Sequence, residues 1–316
     1  GAAADRESER SRNSYQSSFG PGSGTTDVRR TNRAWYVQAL AESGRLALQA
    51  GARLDDNQRF GNFTTWRAGA SLRLTAATRL RANAGTAFKE PTFGENYSTG
   101  YSVGNPGLKP ERTTSLEAGL EQSLAGGRIV ASATGFTQRF RDLIQYTFLT
   151  ALPTDPNYYN VASARSSGAE LELRVAPAHQ LMLSAQYTYL HTVTQDSGYD
   201  GTVFAPGKPL VRRPAHSGSL SAEWRAAPRR TFGARVLYVG ARDDLDFSSF
   251  PTARVTLADH GRLDLWATVG LTSAAGRRSV ALISFIIVRL SGFRGPTPTS
   301  GVTLSWFSLA LLAVLG

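Results

Sequence analysis

Apolar and polar residues alternate along most of the chain with a period of two. Between residues 181 and 189, leucine, alanine and tyrosine take the odd positions, and polar residues take most of the even ones. The same alternation runs through 45–54, 169–175 and 262–271. Successive side chains of a strand point to opposite faces, whereas a helix would mix both kinds of residue on every side. The pattern therefore predicts an all-β protein, with about thirteen strands between Thr31 and Phe307 at the spacing typical of a barrel.

The connections between these strands alternate between short and long. An antiparallel transmembrane barrel has this asymmetry, with tight turns at one end and long loops at the other, whereas a soluble sandwich mixes the two lengths. Strands of about ten residues are also long enough to cross a bilayer when tilted. We therefore predict an antiparallel transmembrane β-barrel. The predicted short turns are 41–44, 75–78, 124–127, 176–179, 226–229 and 273–276, and the predicted long connections are 55–64, 89–112, 142–163, 192–214, 241–261 and 291–300.

The two ends of the chain depart from the alternating pattern. Residues 1–30 are polar and rich in serine and glycine, which predicts a polar extracellular loop or lead-in. Residues 31–307 are assigned to a partial β-barrel domain, and residues 308–316 to an atypical apolar C-terminal tail. Bacterial single-chain barrels have even strand numbers, so about thirteen strands predict that further strands lie upstream of this sequence.

Composition excludes several classes of function. The formal net charge is +11, but the arginines are scattered singly at alternate strand positions and in pairs near turns, so no nucleic-acid partner is expected. The absence of cysteine excludes disulfides and thiolate metal sites. The acidic segment 243–246 could hold a hard cation, although solvated loop charge explains it more simply. We expect no metal, no cofactor and no enzymatic activity, because the four histidines stand apart: His179, His191, His216 and His260.

Four motifs occur in order along the chain. The segment 87–93 reads AFKEPTF and is followed by NPGLKPER at 105–112. An aromatic-rich segment ending in Asp-Leu-Ile spans 135–144, and YNVA leads into SGAELE within 159–172. An Arg-Pro step lies at the start of 213–220. Together these motifs resemble the C-terminal part of the barrel of TonB-dependent outer-membrane receptors. Within that family the sequence most resembles the cobalamin and siderophore transporters. The residues that carry the family motif are Asn105, Pro106, Leu108, Lys109, Pro110 and Glu111.

The resemblance carries expectations about function. It implies a barrel of about 22 strands in the Gram-negative outer membrane, filled by a plug domain that is absent from this sequence. It also implies energised, TonB-linked uptake of a scarce nutrient such as a siderophore-metal chelate or cobalamin, which this chain would carry out incompletely. The implied partners are outer-membrane lipid, the plug domain, the TonB system and a small nutrient ligand. Two alternatives remain open at this point: a passive porin-like or adhesive barrel, and a soluble all-β binding protein.

Two sets of residues are candidates for contact with these partners. Aromatic side chains in the long loops could stack on a bulky ligand, namely Tyr97, Tyr101, Tyr158, Tyr159, Tyr199 and Phe204. Charged side chains at the polar positions of the strands would line the lumen and, as the resemblance implies, face the plug. They would equally suit a solvated sheet face. This second set comprises Arg45, Arg53, Arg79, Arg81, Glu117, Glu121, Glu170, Glu172, Arg174 and Glu223.

Overall fold

Long antiparallel strands make up almost all of the structure, which is a computed structural model. It describes residues 1–17, 20–100, 102–147, 150–152, 154–196, 205–246, 248, 253–271, 281–293 and 302–303. The strands are β1 (Ala2–Ser17), β2 (Gly20–Ser43), β3 (Leu46–Asn57), β4 (Gly61–Arg73), β5 (Thr78–Lys89), β6 (Glu111–Leu124), β7 (Ile129–Tyr146), β8 (Tyr158–Ala178), β9 (Leu181–Thr194), β10 (His216–Ala227), β11 (Arg230–Val239), β12 (Arg242–Asp246), β13 (Ala253–Leu257), β14 (His260–Leu271), β15 (Ala281–Phe293) and β16 (Val302–Thr303). A short helix, α1 (Phe93–Tyr97), and a 3₁₀ turn (Ala125–Gly127) complete the elements of the described residues.

Each strand of the main sheet pairs with its neighbour along the chain. The order is β1 to β11 followed by β14, β15 and β16, which makes a sheet of 14 strands, while β12 and β13 form a separate hairpin. Every ladder is antiparallel. The all-β, antiparallel prediction is confirmed, and β2 to β11 with β14 to β16 give the expected thirteen strands after Thr31.

The alternation of turn lengths is present in the structure. Five short turns lie where they were predicted, and β5, β7, β9 and β11 lead into the predicted long connections at the opposite end of the sheet. The predicted long connection 55–64 is wrong, because β3 and β4 continue until only 58–60 are left between them. Asn57 Oδ1 accepts hydrogen bonds from the backbone N–H groups of Arg59 and Phe60 at 2.9 and 3.1 Å, which closes a tight turn. The predicted turn 273–276 and most of 291–300 lie outside the described residues.

The N-terminal segment also departs from its prediction. Residues 1–30 form β1 and the first part of β2, paired from Ala2↔Trp35 to Ser17↔Gly20, rather than an irregular loop or lead-in. Opposite charges face each other in this ladder, with Arg10–Asp27 at 2.7 Å and Arg30–Glu7 at 2.6 Å. Pairing of β1 with β2 satisfies the backbone hydrogen-bonding groups whatever the side chains are. The cross-strand ion pairs favour this register over others. Because both faces are polar, no alternation marks these strands in the sequence.

Register divides the main sheet into a polar and an apolar face. On the polar face Gln49, Asn83 and Glu117 form one lateral row, joined by hydrogen bonds of 3.5 and 2.8 Å. On the apolar face Leu116 is 54% exposed and Leu220 62% exposed. Within the described part of the chain few hydrophobic side chains are buried, namely Ala34, Phe63, Leu108 and Ala164. So large an exposed apolar surface requires a partner other than water, and lipid meets that requirement.

Aromatic side chains flank the apolar face at two heights. Near the turn after β10, the rings of Trp224 and Phe232 lie 5.9 Å apart. Near the loop end, Tyr189 packs on His216 at 5.4 Å, and the hydroxyl of Tyr187 bonds His216 Nδ1 at 2.7 Å. Residues 216 to 224 of β10 span ~26 Å along the strand, which suits a tilted crossing of an apolar band of about 25 Å or less.

Candidate ligand-facing site at the loop end

The loop 90–110 is an ordered shelf above the sheet. Thr92 caps α1: its Oγ1 accepts from the Glu95 N–H at 3.2 Å, and the Glu95 carboxylate accepts from the Thr92 N–H at 2.6 Å. This reciprocal capping box satisfies two donors that a short helix would otherwise leave free. Asn96, which is 1% exposed, donates from Nδ2 to the Asn105 carbonyl at 2.9 Å and closes the loop on itself.

Three asparagines fasten this shelf to the loop between β7 and β8. Asn105 Nδ2 donates to the Tyr158 carbonyl at 2.8 Å. Asn157 Oδ1 accepts from the Val103 N–H at 2.7 Å. Asn160 makes two bonds to the Lys109 backbone, accepting from its N–H at 2.8 Å and donating to its carbonyl at 2.9 Å. An asparagine side chain can copy the pairing of a backbone amide, so these contacts extend the sheet into the loops.

The remaining residues of the NPGLKPER motif also have structural contacts. The Glu111 carboxylate accepts from the Ile144 N–H at 2.8 Å and pairs with Lys89 Nζ at 3.2 Å. Leu108 is 4% exposed, and Pro110 is buried as well. The carbonyl of Pro106 accepts from Arg59 Nη2 at 2.6 Å. The motif therefore holds the loop in place through the Glu111 carboxylate, the buried side chains of Leu108 and Pro110, and the backbone of Pro106.

Arg30 is the centre of a charged cluster beside the shelf. Its guanidinium pairs with Glu7 at 2.6 Å and with Glu90 at 3.1 Å, and it donates to the Pro91 carbonyl at 2.6 Å. It also lies 4.6 Å from the centre of the Phe93 ring, within the range of a cation–π contact. The side chains of Arg30 and Glu90 are only 14% and 17% exposed, so solvent screens this pair weakly.

Asp55 forms a second charged centre on the same face. It is 1% exposed and accepts from Arg53 through both carboxylate oxygens, at 2.8 to 3.0 Å. Asn32 Nδ2 donates to it at 2.7 Å. Asn57, two residues after Asp55 on β3, donates from Nδ2 to the Glu90 carboxylate at 2.8 Å. A buried carboxylate that is fully hydrogen-bonded is held in one orientation, which makes the wall rigid.

An open cleft of about 480 Å³ lies between these two centres. Burial raises the pKa of the Glu90 carboxyl, an effect that the positive charge of Arg30 opposes. The cleft can offer hydrogen-bond acceptors and a few fixed donors to a polar molecule. It is lined by Asp5, Glu7, Arg30, Asn32, Arg53, Asp55, Thr65, Thr86, Ala87, Phe88 and Glu90.

One aromatic ring, Phe88, lines the cleft, and further rings of the loop end contact arginines. Phe63 and Phe88 stack at 4.7 Å, and Arg112 lies 5.5 Å from the Phe63 ring. Arg59 lies 5.9 Å from the ring of Tyr97. The rim therefore combines flat apolar surfaces with guanidinium groups, which suits a bulky ligand that carries both rings and charge.

The predicted loop aromatics are placed in part. Tyr97 ends α1 on the shelf. Tyr158 and Tyr159 begin β8, where the Tyr158 ring meets Tyr146 edge-on at 5.1 Å. The Tyr158 carbonyl accepts from Asn105 Nδ2 at 2.8 Å, which joins the start of β8 to the loop that carries Tyr97. Three further candidates lie outside the described residues: Tyr101, Tyr199 and Phe204.

The predicted lumen residues share the polar face by register. Glu121 pairs with Arg79 at 3.7 Å and also with Arg81, while Glu117 accepts from Asn83 at 2.8 Å. Arg45 lies in the turn between β2 and β3 and donates to the Leu74 carbonyl at 3.0 Å. The others take the polar positions of β3, β8 and β10: Arg53, Glu170, Glu172, Arg174 and Glu223.

Sequence reasoning missed Arg30, Asp55 and Glu90 as a group. Arg30 and Asp55 fell in segments that were predicted to be loop or lead-in, so no face could be assigned to them. Glu90 lies inside the AFKEPTF segment but outside any alternation. The available signal was the acid–base complementarity of β1 and β2, in which Glu7 opposes Arg30 directly.

Among the described residues, no group of three or more metal-ligating side chains is placed to hold an ion. Within the same part of the chain, no helix is long and apolar enough to cross a membrane.

Comparison with known proteins gives the family. A family model described as "TonB dependent receptor-like, beta-barrel" matches residues 3–275. Similar solved structures include a variant of the ferric enterobactin receptor PfeA from Pseudomonas aeruginosa, with 20% identity and a TM-score of 0.63 over 85% of this chain and 40% of that one. The siderophore receptor PirA from Acinetobacter baumannii has 15% identity and a TM-score of 0.62, over 85% and 42%. The FrpB iron transporter from Neisseria meningitidis has 16% identity and a TM-score of 0.62, over 85% and 41%.

At these identities the structures support the fold alone, and this chain spans about two fifths of their length. The family match covers most of the chain, and its receptors and transporters lie in the outer membrane of Gram-negative bacteria. The antiparallel strands, the exposed apolar face and the charged polar face all agree with that placement. The chain belongs to the TonB-dependent receptor β-barrel family, and it is an outer-membrane barrel protein.

Proposed function

We propose that this chain is part of the barrel of a receptor for energised, TonB-linked uptake of a ferric siderophore. The observation that carries the proposal is the braced cleft at the loop end, which joins fixed charge to aromatic surface on a rigid shelf. Sites held rigidly lose less entropy on binding, which suits the capture of a scarce ligand. The similar structures named above include receptors for ferric enterobactin and other siderophores, which supports an iron chelate as the ligand class.

The orientation follows from this function. The loop end would face the exterior, so that β1 and β2 project outward and residues 1–30 are extracellular. Residues 31–307 would be the barrel portion and 308–316 an added tail. The polar face would enclose the plug domain, and the TonB system would act from the opposite side.

Ligand contact is assigned to the loop aromatics. Rings near the cleft can stack on the flat groups of a chelate, and arginines such as Arg59 can add charge. The proposed contact residues are Tyr97, Tyr101, Tyr158, Tyr159, Tyr199 and Phe204. Cobalamin would use the same surface, and it serves as a competing ligand in the test below.

The test is a binding titration of the chain in detergent micelles, followed by tryptophan fluorescence. The probes are a ferric catecholate, a ferric hydroxamate and cyanocobalamin. We expect one ferric chelate to bind, and Tyr97→Ala to weaken that binding about tenfold, the loss of ~1.4 kcal/mol that one ring contact supplies. Tyr238→Ala, on the apolar face, is the matched control and should bind normally.

Two results would overturn the proposal. If cyanocobalamin binds and neither ferric chelate does, the ligand class is wrong. If none of the probes binds, and liposomes that contain the chain admit small sugars without selectivity, the protein is a passive pore.

A further inference from the structure

The two faces of strand β1 carry charges of opposite sign. Its acidic residues take the odd positions 5, 7 and 9, and its basic residues take the even positions 6, 10 and 12. Successive side chains of a strand point to opposite faces, so the acids are separated from the bases. The acidic face is the one that meets the cleft, which Asp5 and Glu7 line. The arginines of β1 therefore lie on the face that points away from the cleft.

This arginine-bearing face continues the apolar face of the main sheet. Ala2 opposes Trp35, and Trp35 opposes Leu54, so the three residues share one face. Trp35 is 51% exposed and Leu54 is 42% exposed, as expected of side chains that meet lipid. Toward the loop end, the same face of β2 carries Arg33 and then Arg29. The surface thus changes from apolar to basic directly beyond Trp35.

Three arginines lie together beyond this boundary. Arg6 opposes Thr31 and is therefore a diagonal neighbour of both Arg29 and Arg33. All three side chains belong to exposed residues. Among the ion pairs of the described residues, none includes any of them. The cluster of Arg6, Arg29 and Arg33 is called the basic strip below.

The carboxylates on this part of the face do not balance its arginines. Asp27 is paired with Arg10 at 2.7 Å. Asp56 opposes Arg33 across the β2–β3 ladder, but the described residues include no ion pair between the two. Five arginines, at 6, 10, 12, 29 and 33, and two aspartates, at 27 and 56, leave a formal excess of +3. The surface therefore attracts anions.

The basic strip stands at the height of the lipid headgroups. Arg33 and Arg29 lie two and six residues beyond Trp35, which corresponds to ~7 and ~20 Å along the strand. A strand tilt of about 40° reduces these distances to heights of ~5 and ~15 Å. The headgroup layer is roughly 5–8 Å thick on each side of the bilayer, and arginine extends its guanidinium along a flexible apolar stem. The strip therefore reaches lipid phosphate while Trp35 remains in the apolar band.

We propose that the basic strip binds the phosphate groups of anionic lipid in the leaflet at the loop end. Arginine suits phosphate because its planar guanidinium forms two parallel hydrogen bonds with it. Lipid covers the apolar face directly below Trp35, so lipid phosphates are the anions nearest to the strip. A domain enclosed by the barrel cannot reach the strip, which lies on the opposite side of the sheet from the cleft. The site requires the outer-membrane placement, and it is independent of the siderophore ligand proposed above.

The test measures which lipid lies beside Trp35. The chain is prepared in detergent micelles with Trp35 as the sole tryptophan, and brominated lipids quench its fluorescence. Brominated phosphatidylglycerol supplies an anionic headgroup, and brominated phosphatidylcholine supplies a zwitterionic one. We expect a preference of about tenfold for phosphatidylglycerol, since each arginine near an anionic surface contributes about fivefold in affinity. The preference should fall as salt is raised.

Variants of the strip link this preference to its arginines. Arg29→Gln/Arg33→Gln should reduce the preference to within about twofold, and Arg29→Lys/Arg33→Lys should retain part of it because lysine keeps the charge. Arg67→Gln/Arg73→Gln is the matched control, since it removes two exposed arginines from the polar face. This control should prefer phosphatidylglycerol as the parent chain does. Equal quenching by phosphatidylcholine in every variant shows that Trp35 still lies against lipid.

Several results would overturn the proposal. One is equal quenching of Trp35 by the two lipids in the parent chain, and another is a preference that the double Gln variant keeps. If that variant fails to fold, a preference in the parent chain that does not respond to salt has the same meaning. Binding of a hexaglutamate peptide that depends on Arg29 and Arg33, without any lipid preference, would assign the strip to an acidic protein instead. Failure of ferric chelates to bind would count against the proposed function alone, because this assay contains no chelate.

Discussion

The arginines at the two ends of the polar face differ in how they are paired. At the loop end, Arg30 is nearly buried and has Glu7 and Glu90 as partners. At the turn end, Arg45 and Arg73 are exposed and rely on turn carbonyls. The first arrangement satisfies its charges within the chain, and the second leaves an excess. The charges at the loop end are therefore paired and fixed within the chain, whereas the arginines at the turn end stay exposed and in excess.

The comparison predicts the largest effect at Arg30. Arg30→Ala leaves Glu90 buried without its cation, which should lower the free energy of unfolding by about 2–3 kcal/mol. Thermal unfolding in detergent micelles measures this. Arg73→Ala is the control and should change stability by less than about 0.5 kcal/mol. If both variants lose the same unfolding free energy, the loop end and the turn end do not differ in how their arginines are paired.

A smaller loss of stability is expected when the contacts that hold the shelf, the loop 90–110, are removed. Asn160→Ala removes two bonds to the Lys109 backbone and should cost about 1–2 kcal/mol of local stability. Hydrogen exchange at the Lys109 amide should accelerate roughly tenfold or more. Asn83→Ala, which loses a bond to the exposed Glu117, is the matched control and should leave that amide protected. A slow Lys109 amide in Asn160→Ala would mean that the shelf is held by other contacts.

At the turn end, removal of an arginine should raise the stability of the fold rather than lower it. Arg73→Gln relieves the repulsion from Arg79, so the chain without partners should gain about 0.2–0.5 kcal/mol in stability. The melting temperature measures this gain. A loss of more than about 1 kcal/mol would show that Arg73 is already satisfied within the chain.

The smallest expected effects are changes in the local stability of the loops with pH. Hydrogen bonds from Arg212 and from the Leu245 N–H hold the pKa of Asp244 below its usual value. A carboxyl whose pKa is lower in the folded state stabilises the fold above its unfolded pKa, and this contribution is lost as pH falls through the folded value. The protection factors of the amides in β12 and β13, which correct for the intrinsic pH dependence of exchange, should therefore fall in acid, and Asp244→Asn should flatten this profile.

The contribution of Glu90 to stability should depend on pH in the opposite direction to that of Asp244. Because its pKa is raised by burial, its contribution is greatest below the unfolded pKa and declines as pH rises through the folded value. Exchange of the Thr92 and Glu95 amides reports on this region, and Glu90→Gln should remove the dependence. An unchanged profile in Glu90→Gln would place the titration on another group.

Alternation was sufficient to predict the strands, the antiparallel pairing and the five short turns, because one face meets lipid and the other meets polar groups. It failed where both faces are polar, as in β1 and the start of β2. The turn at 58–60 was missed because Asn57 closes it through its own side chain, a contact that no periodicity reveals. The cluster at Arg30 joins β1, β2 and the loop after β5, so only the folded register brings its members together.

The central claim is that ligand meets the loop end and leaves the turn end untouched. Hydrogen exchange of the chain in micelles, with and without the ferric chelate that binds best, tests it directly. We expect new protection in 90–110 and 205–215 and none in 44–45 or 125–128. Protection confined to the turn end, or an unchanged pattern at saturating chelate, would contradict it.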